Sequence, residues 1–291
     1  MPLEVPGVKQ PLTDQEYWNA YWSDAKALGG NSRFSKLKSW IKSLVGPGRI
    51  AYFARTYSDY VLWEGIYPRF LANQSGKSVI EIGSAPGRFL LRLKKEFGLD
   101  PYGVEYAAEG VEQNKAVFSK AGVPADHVLF FDAFGAEFLN AYRDRFDFVL
   151  SRGVIEHFDD PSSVINAHLD VLKPGGLLII TVPNYRGLNW MLKRTFDGAS
   201  LPGHNLNTMK PEVFRKAFVK SGLTELHCGP FGSIDISMSR PNKRGGLLWA
   251  LYMLLEKAQL PLNALMRMVW GTQAPNSRFT SPFLIYVGRK A

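Results

Sequence analysis

From residue 77 onward, apolar and polar positions fall into alternating short and long blocks. Short runs rich in β-branched and aromatic residues stand at 78–82 (SVIEI), 102–106 (YGVEY), 127–131 (HVLFF), 146–151 (FDFVLS) and 177–182 (LLIITV). Stretches with helical spacing fill the gaps, at about 87–97, 108–121, 135–143 and 161–172. Asp160 followed by Pro161 predicts an N-cap and first turn for the last of these. Lys173-Pro174-Gly175-Gly176 predicts the turn that stops that helix and launches the fifth strand. Strands separated by helices of this length imply right-handed crossovers and a parallel sheet, hence an α/β fold.

The flanks have a different rhythm. Residues 13–45 read as helical, with Thr13 or Asp14 as cap and Tyr17, Trp18, Tyr21 and Trp22 on one stripe. A segment at 33–45 puts Phe34, Leu37, Ile41 and Leu44 on one face, and another helix is expected over 51–72. After 183 the pattern loosens. A helix at 210–221 leads to a strand at 223–228, and 282–289 (PFLIYVGR) reads as a final strand. Between them, Leu247 to Leu255 is apolar on every face, so a helix there must be buried, paired or placed against lipid.

Composition narrows the class. With 46% apolar and 13% aromatic residues in 291, the chain has ample material for a packed core. Cys228 is the only cysteine, which excludes an internal disulfide and argues against a cysteine-based metal site; no metal site is expected. No signal sequence opens the chain, and its longest apolar run is too short to span a bilayer, which needs about 20 residues. A soluble, cytoplasmic protein is expected. The net charge of +9 gathers at 33–49 and 240–244 without any nucleic-acid signature, so solvated surface charge is the reading and no nucleic-acid partner is expected.

The candidate chemistry begins at "VIEIGSAPGRF", residues 79–89. A strand enters the small-residue turn Gly83-Ser84-Ala85-Pro86-Gly87 and a helix leaves it, which presents backbone N–H groups to a ligand beyond the strand end. The next strand ends in Glu105, an acid placed to accept hydrogen bonds from ribose hydroxyls. The third ends near Asp132, at the same sheet edge. A dinucleotide fits poorly, because Arg88 stands where a third glycine would have to pack helix against strand.

This series, "VIEIGSAPGRF", "YGVEYA", "FFDAF", "FDFVLSRGVIEHFDDP" and "LKPGGLLIITVPN", resembles the ordered motifs of class I S-adenosylmethionine-dependent methyltransferases. The resemblance covers about 77–228 plus the last strand. It implies a Rossmann-like, seven-stranded, mostly parallel sheet with helices on both faces and an antiparallel last strand. It implies a helical lid over 1–75, a cofactor-binding core over 76–228, an apolar helical insertion at 229–281 and the final strand at 282–291. The cofactor implied is S-adenosylmethionine. Glu81, Gly83, Ser84, Ala85, Pro86 and Gly87 match the loop beside its methionine part, Glu105 and Tyr106 the ribose, and Asp132 and Ala133 the adenine. Ser151, Arg152 and Val154 match the methyl-donor side. One departure is Ala85, which stands where the family's loop has its central glycine.

The transfer itself is an in-line displacement, so a hydroxyl or ammonium acceptor also needs a base. Candidates are His157, Tyr185 and His204, each with a structural alternative as packing or capping residue. The aromatic stripe at 17–22 is either core packing or part of the lid. The 245–270 stretch, with Arg240, Lys243 and Arg244 ahead of it, is a cover over the domain, a homodimer face, or, with 33–45, a peripheral membrane contact. The expected activity is methyl transfer to O, N or C of a small molecule, bulky, apolar or lipid-like. A non-catalytic cofactor-binding scaffold and a protein or nucleic-acid methyltransferase are the alternatives.

Overall fold

The structure, a computed structural model, describes residues 11–28, 55–241 and 243–291. Its centre is a seven-stranded sheet in the order β3-β2-β1-β4-β5-β7-β6. The strands are β1 (Ser78–Ile82), β2 (Asp100–Glu105), β3 (Val128–Phe130), β4 (Phe146–Arg152), β5 (Leu172–Pro183), β6 (Leu223–Phe231) and β7 (Phe283–Lys290). β1 to β5 pair in parallel, and β7 runs antiparallel between β5 and β6. Strand order reverses between β1 and β4, which makes the crevice beyond their carboxyl ends the place where an open α/β sheet binds ligands.

Period-two alternation explains why both faces are covered. Val79, Phe148, Leu150, Leu177 and Ile179 point to one apolar cluster, Ile80, Val149, Leu178 and Ile180 to the other. The first cluster is closed by the helical run 57–71, by α3 (Arg88–Phe97) through Leu90 and Leu93, and by α4 (Ala108–Lys120) through Val111 and Phe118. That run, α2, joins Tyr57–Tyr60, a π-helical Val61–Ile66 and Pro68–Leu71. The second cluster is closed by α5 (Ala136–Ala141), α6 (Pro161–Val171) and α8 (Pro211–Lys216). Among the described residues the remaining α-helices are α1 (Gln15–Leu28), α7 (Gly187–Asp197) and α9 (Gly246–Trp270).

Some expected boundaries shift for local reasons. The Lys173-Pro174-Gly175-Gly176 turn lies inside β5 as a bulge: Phe146 pairs with Leu172 and Phe148 with Leu177, with Gly175 at φ 76 in the bulge. The helix expected over 210–221 is α-helical only to Lys216, after which Phe218, Val219 and Ser221 donate to carbonyls three residues back. Pro261 does not divide the apolar stretch; α9 runs through it. The expected segment at 33–45 lies outside the described residues. Asp14 caps α1 by accepting from the Tyr17 amide at 2.8 Å. The helical run 57–71 packs into the main core, and its first turns, with Ser58, Asp59 and Leu62, also border the cavity beyond the strand ends.

Candidate active site

At the end of β1, Gly83 and Gly87 adopt left-handed φ of 71° and 82°, and the Ala85–Pro86 peptide is cis. Gly87 is the N-cap of α3 with no side-chain cap, so the first amides of that helix face the crevice without a side-chain partner. Ser84 is fixed beneath the loop by donation to the Val104 carbonyl and acceptance from Asn114. Ala85, buried, is accommodated across the crevice by Gly110: a Cβ there would lie 3.0 Å from both the Ala85 Cβ and the Glu105 Cγ. The missing loop glycine is thus balanced by a glycine on the facing helix.

Glu105 is buried at the end of β2, where its Oε1 accepts from the Tyr106 and Ala107 amides, both at 3.0 Å. Burial raises its pKa, and backbone donors from Ala107, Tyr106 and Ala85 oppose that rise, so the carboxylate is held in orientation. Replacing Gly110 with alanine favours helix α4 by up to about 1 kcal/mol yet pushes on a carboxylate that cannot move freely. Because neither Ala85 nor Glu105 can readily give way, the expected outcome is a lower melting temperature together with about tenfold weaker S-adenosylhomocysteine binding by calorimetry.

Not every expected cofactor residue faces the crevice alike. Glu81 Oε1 accepts from Arg152 Nε at 2.9 Å, and Arg152 lies 3.6 Å over the Phe89 ring, so these two groups hold each other. Asp132 is exposed, and its Oδ1 accepts from the Phe134 amide to shape the loop after β3, beside buried Ala133. Ser151 is buried with an unpartnered Oγ, and Val154 begins the turn after β4. Tyr106 receives Gln15 of α1 at its carbonyl, 2.5 Å away.

Beyond the ends of β4 and β5 opens a cavity of about 690 Å³, bordered by Arg152, Glu156, His157, Tyr185 and His204. Apolar wall comes from Phe89, Phe231, Phe283 and Met238, and charge from Arg55, Asp59 and Asp235. His157 donates through Nδ1 to the Gly203 carbonyl at 2.7 Å, and His204 through Nδ1 to the Ser200 carbonyl at 2.8 Å. A carbonyl only accepts, so in both rings Nδ1 carries the proton and Nε2 keeps its lone pair. The rings lie 4.6 Å apart, and Trp18 of α1 packs edge-on against His157. Burial pushes both imidazoles down to about 4, helped at His157 by His204 and opposed at each by its carbonyl partner. Both are therefore neutral at pH 7.

Tyr185 is different. Burial, with Glu156 and Asp197 nearby, raises its phenol, which makes it a donor at neutral pH rather than a base. Glu156, one residue before His157, is the group sequence reasoning missed. It is 1% exposed and its Oε2 has no hydrogen-bond partner. Burial raises it to about 8. Glu156, His157 and His204 each offer one ligand atom within 4.8 Å of the others, the one group among the described residues able to hold a divalent cation, where no metal site was expected from sequence. The raised Glu156 has a consequence for stability. Between pH 4.5 and about 8 the folded protein keeps a proton that the unfolded chain has lost, so stability falls as pH rises through this window. Glu156→Gln removes that dependence, read as a smaller drop in melting temperature from pH 5 to pH 8 than the wild type shows.

The methyltransferase-domain family model matches residues 53–227, more than half of the chain, and spans the loop, Glu105 and the histidine-bearing turn together. The chain belongs to that family. It is a class I S-adenosylmethionine-dependent methyltransferase by family and fold, and S-adenosylmethionine is the family's cofactor. Among curated relatives, a ubiquinone biosynthesis O-methyltransferase of Pectobacterium atrosepticum is 26% identical over 167 residues, 55% of this chain and 60% of that protein. One of the same description from Chelativorans is 26% identical over 218 residues, 72% of this chain and 76% of that one. For other such relatives the chain spans about half their length, 47%. The fold is also that of a Haemonchus contortus phosphoethanolamine N-methyltransferase 2, with TM-score 0.54 and 19% identity over 79% of this chain and 52% of that one. Among the described residues no helix is long and apolar enough to cross a membrane.

Proposed function

We propose that this chain transfers the methyl group of S-adenosylmethionine to the oxygen of an acidic hydroxyl on a bulky, apolar or lipid-like small molecule. The observation that carries the reading is the pair of neutral histidines, their Nε2 lone pairs free, in a cavity walled by Phe89, Phe231, Phe283 and Met238 beside the strand-end crevice. Family membership supports the reaction class, and the Pectobacterium relative, named an O-methyltransferase, is consistent with oxygen as acceptor.

The cofactor would be held by the 83–87 loop and the α3 amides at its methionine end, by Glu105 at its ribose and by the loop from Asp132 to Ala133 at its adenine. When bound it supplies an electrophilic methyl group. The chain's own residues then have two tasks. α1 covers the strand ends, tied down by Leu12 N donating to the His157 carbonyl at 2.7 Å and by Gln113 donating to the Trp22 carbonyl at 3.0 Å, which excludes water. His204, less buried than His157, takes the acceptor proton at Nε2, while His157, pressed between Trp18 and His204, holds it in place. So weak a base suits a hydroxyl whose proton is loosely held, such as a phenol, better than an aliphatic alcohol.

The test is transfer of radiolabelled methyl to paired acceptors of equal chain length, one an alkylphenol and one an aliphatic alcohol. Label in the phenol and not in the alcohol is expected. Equal labelling, or labelling of an amine instead, overturns the assignment of acceptor.

A further inference from the structure

α9 is built inside out. At 100° per residue, Leu247, Leu251, Leu254, Ala258, Pro261, Leu265 and Met268 follow one another along a single face, and that face is turned to solvent: Leu247 is 84% exposed, Leu254 64% and Met268 82%. The face toward the protein carries Tyr252, Gln259, Asn263, Met266 and Arg267. Its polar groups are spent inward. Gln259 accepts from the Ile236 amide and donates to the Ile234 carbonyl, both at 2.8 Å; Asn263 accepts from the Tyr57 amide; Arg267 donates to the Arg55 carbonyl. These bonds fix the helix's rotation, so its apolar side cannot roll into the core.

We propose that this face docks α9 in the plane of an anionic lipid bilayer surface, half-immersed. Two features favour lipid over a second copy of the chain. First, the apolar arc is broad: Leu248, Leu262 and Val269 flank the central stripe on one side and Ala250 on the other, all exposed, whereas a helix–helix seam needs a narrow stripe with charged flanks. Second, the charge is one-sided. Arg240, Lys243, Arg244 and Lys257 are exposed around the arc, and Glu256 is the only carboxylate from 240 to 270. Arg240 and Arg244 both sit over the ring of Trp249, which packs against Tyr252 on the protein side, so these two cations are held at the N-terminal end of a helix roughly 37 Å long by helical rise.

Docking there has a consequence for the acceptor. The segment that Gln259 grips includes Asp235, Ser237 and Met238, which line the 690 Å³ cavity, so the bilayer would meet the protein one hydrogen-bonded layer from the acceptor site. This last step rests on the lipid-like acceptor proposed above; the docking itself does not.

The experiment is flotation of the full chain with vesicles of equal parts phosphatidylglycerol and phosphatidylcholine, run beside calorimetric titration with S-adenosylhomocysteine. Expected is flotation at low salt, at least tenfold weaker on phosphatidylcholine alone or at about 0.5 M salt. Leu251→Glu with Leu254→Glu, both on the exposed face, is expected to abolish flotation while leaving melting temperature and S-adenosylhomocysteine affinity unchanged. Lys243→Glu is expected to weaken binding to the anionic vesicles severalfold. Absence of flotation at low salt overturns the proposal, as does a dimer by light scattering that the Leu251/Leu254 variant dissociates while vesicles bind neither form. If flotation fails while S-adenosylhomocysteine binds, only the docking falls. If flotation holds without S-adenosylhomocysteine binding, the docking stands and the methyl-transfer reading falls.

Discussion

His204→Ala lowers turnover by a factor of about 10² to 10³ while leaving S-adenosylhomocysteine affinity within twofold of wild type. The expectation follows from position. His204 borders the cavity with its Nε2 available, and none of its contacts reaches the 83–87 loop or Glu105. His157→Ala costs turnover too, but also stability, because it removes a buried ring that Trp18 and His204 pack against. The pH profile separates a base from a packing residue. A histidine pushed down to about 4 stays deprotonated through the neutral range, so wild-type turnover holds from pH 8 to well below 6 and fails only toward 4. A loss centred at the ordinary imidazole value, about 6.5, would mean that the ring sits in water and the site is not formed as described. The same burial makes the histidines acid-sensitive elements of the fold. His157, His168 and His204 all lie at about 4 when folded, so the unfolded chain binds more protons below about 6.5 and stability declines as pH falls from there toward 4.

Glu105→Gln weakens S-adenosylhomocysteine binding by about a hundredfold. Two amide donors at 3.0 Å fix Oε1, a place the Gln oxygen can fill, so the substitution removes the charge and the second acceptor oxygen, the one left to receive the ribose hydroxyls. Loss of charge-assisted hydrogen bonds in a buried site costs about 1.5–3 kcal/mol each, which makes this the largest single-residue effect expected on cofactor affinity. Protonation mimics the substitution. Because burial raises the Glu105 pKa above the ordinary carboxylate value, wild-type affinity falls on acidification before an exposed glutamate would titrate, and the Gln variant shows no such fall. Calorimetric titrations of both proteins from pH 7.5 downward check the point.

Much of the sheet was legible because its signal is local. Val79 and Ile80, or Phe148 and Val149, alternate between two faces that helices cover, and each strand's apolar run is visible in the chain itself. The strand-end crevice could be placed for a related reason: Gly83, Glu105 and Asp132 stand at or just past successive strand ends, so order along the chain reports position along one sheet edge. What could not be read depends on distant partners. Glu156 is buried in the folded chain, where the distant segment 203–205 is tied to it by Asn205 N donating to the Glu156 carbonyl at 2.6 Å. The accommodation of Ala85 by Gly110 joins residues on different elements, and nothing near either position announces it. In α9 the apolar pattern was plain but its direction was not. Its sense was set by Gln259 and Asn263, two polar residues whose partners lie in 234–236 and at Tyr57.

The central claim is that the 83–87 loop and Glu105 together form an S-adenosylmethionine site, and calorimetric titration of the wild-type chain tests it most directly. One equivalent of S-adenosylhomocysteine is expected to bind in the micromolar range, with no heat from NAD at the same concentrations. No binding of S-adenosylhomocysteine to the folded chain, or tighter binding of NAD, would contradict it.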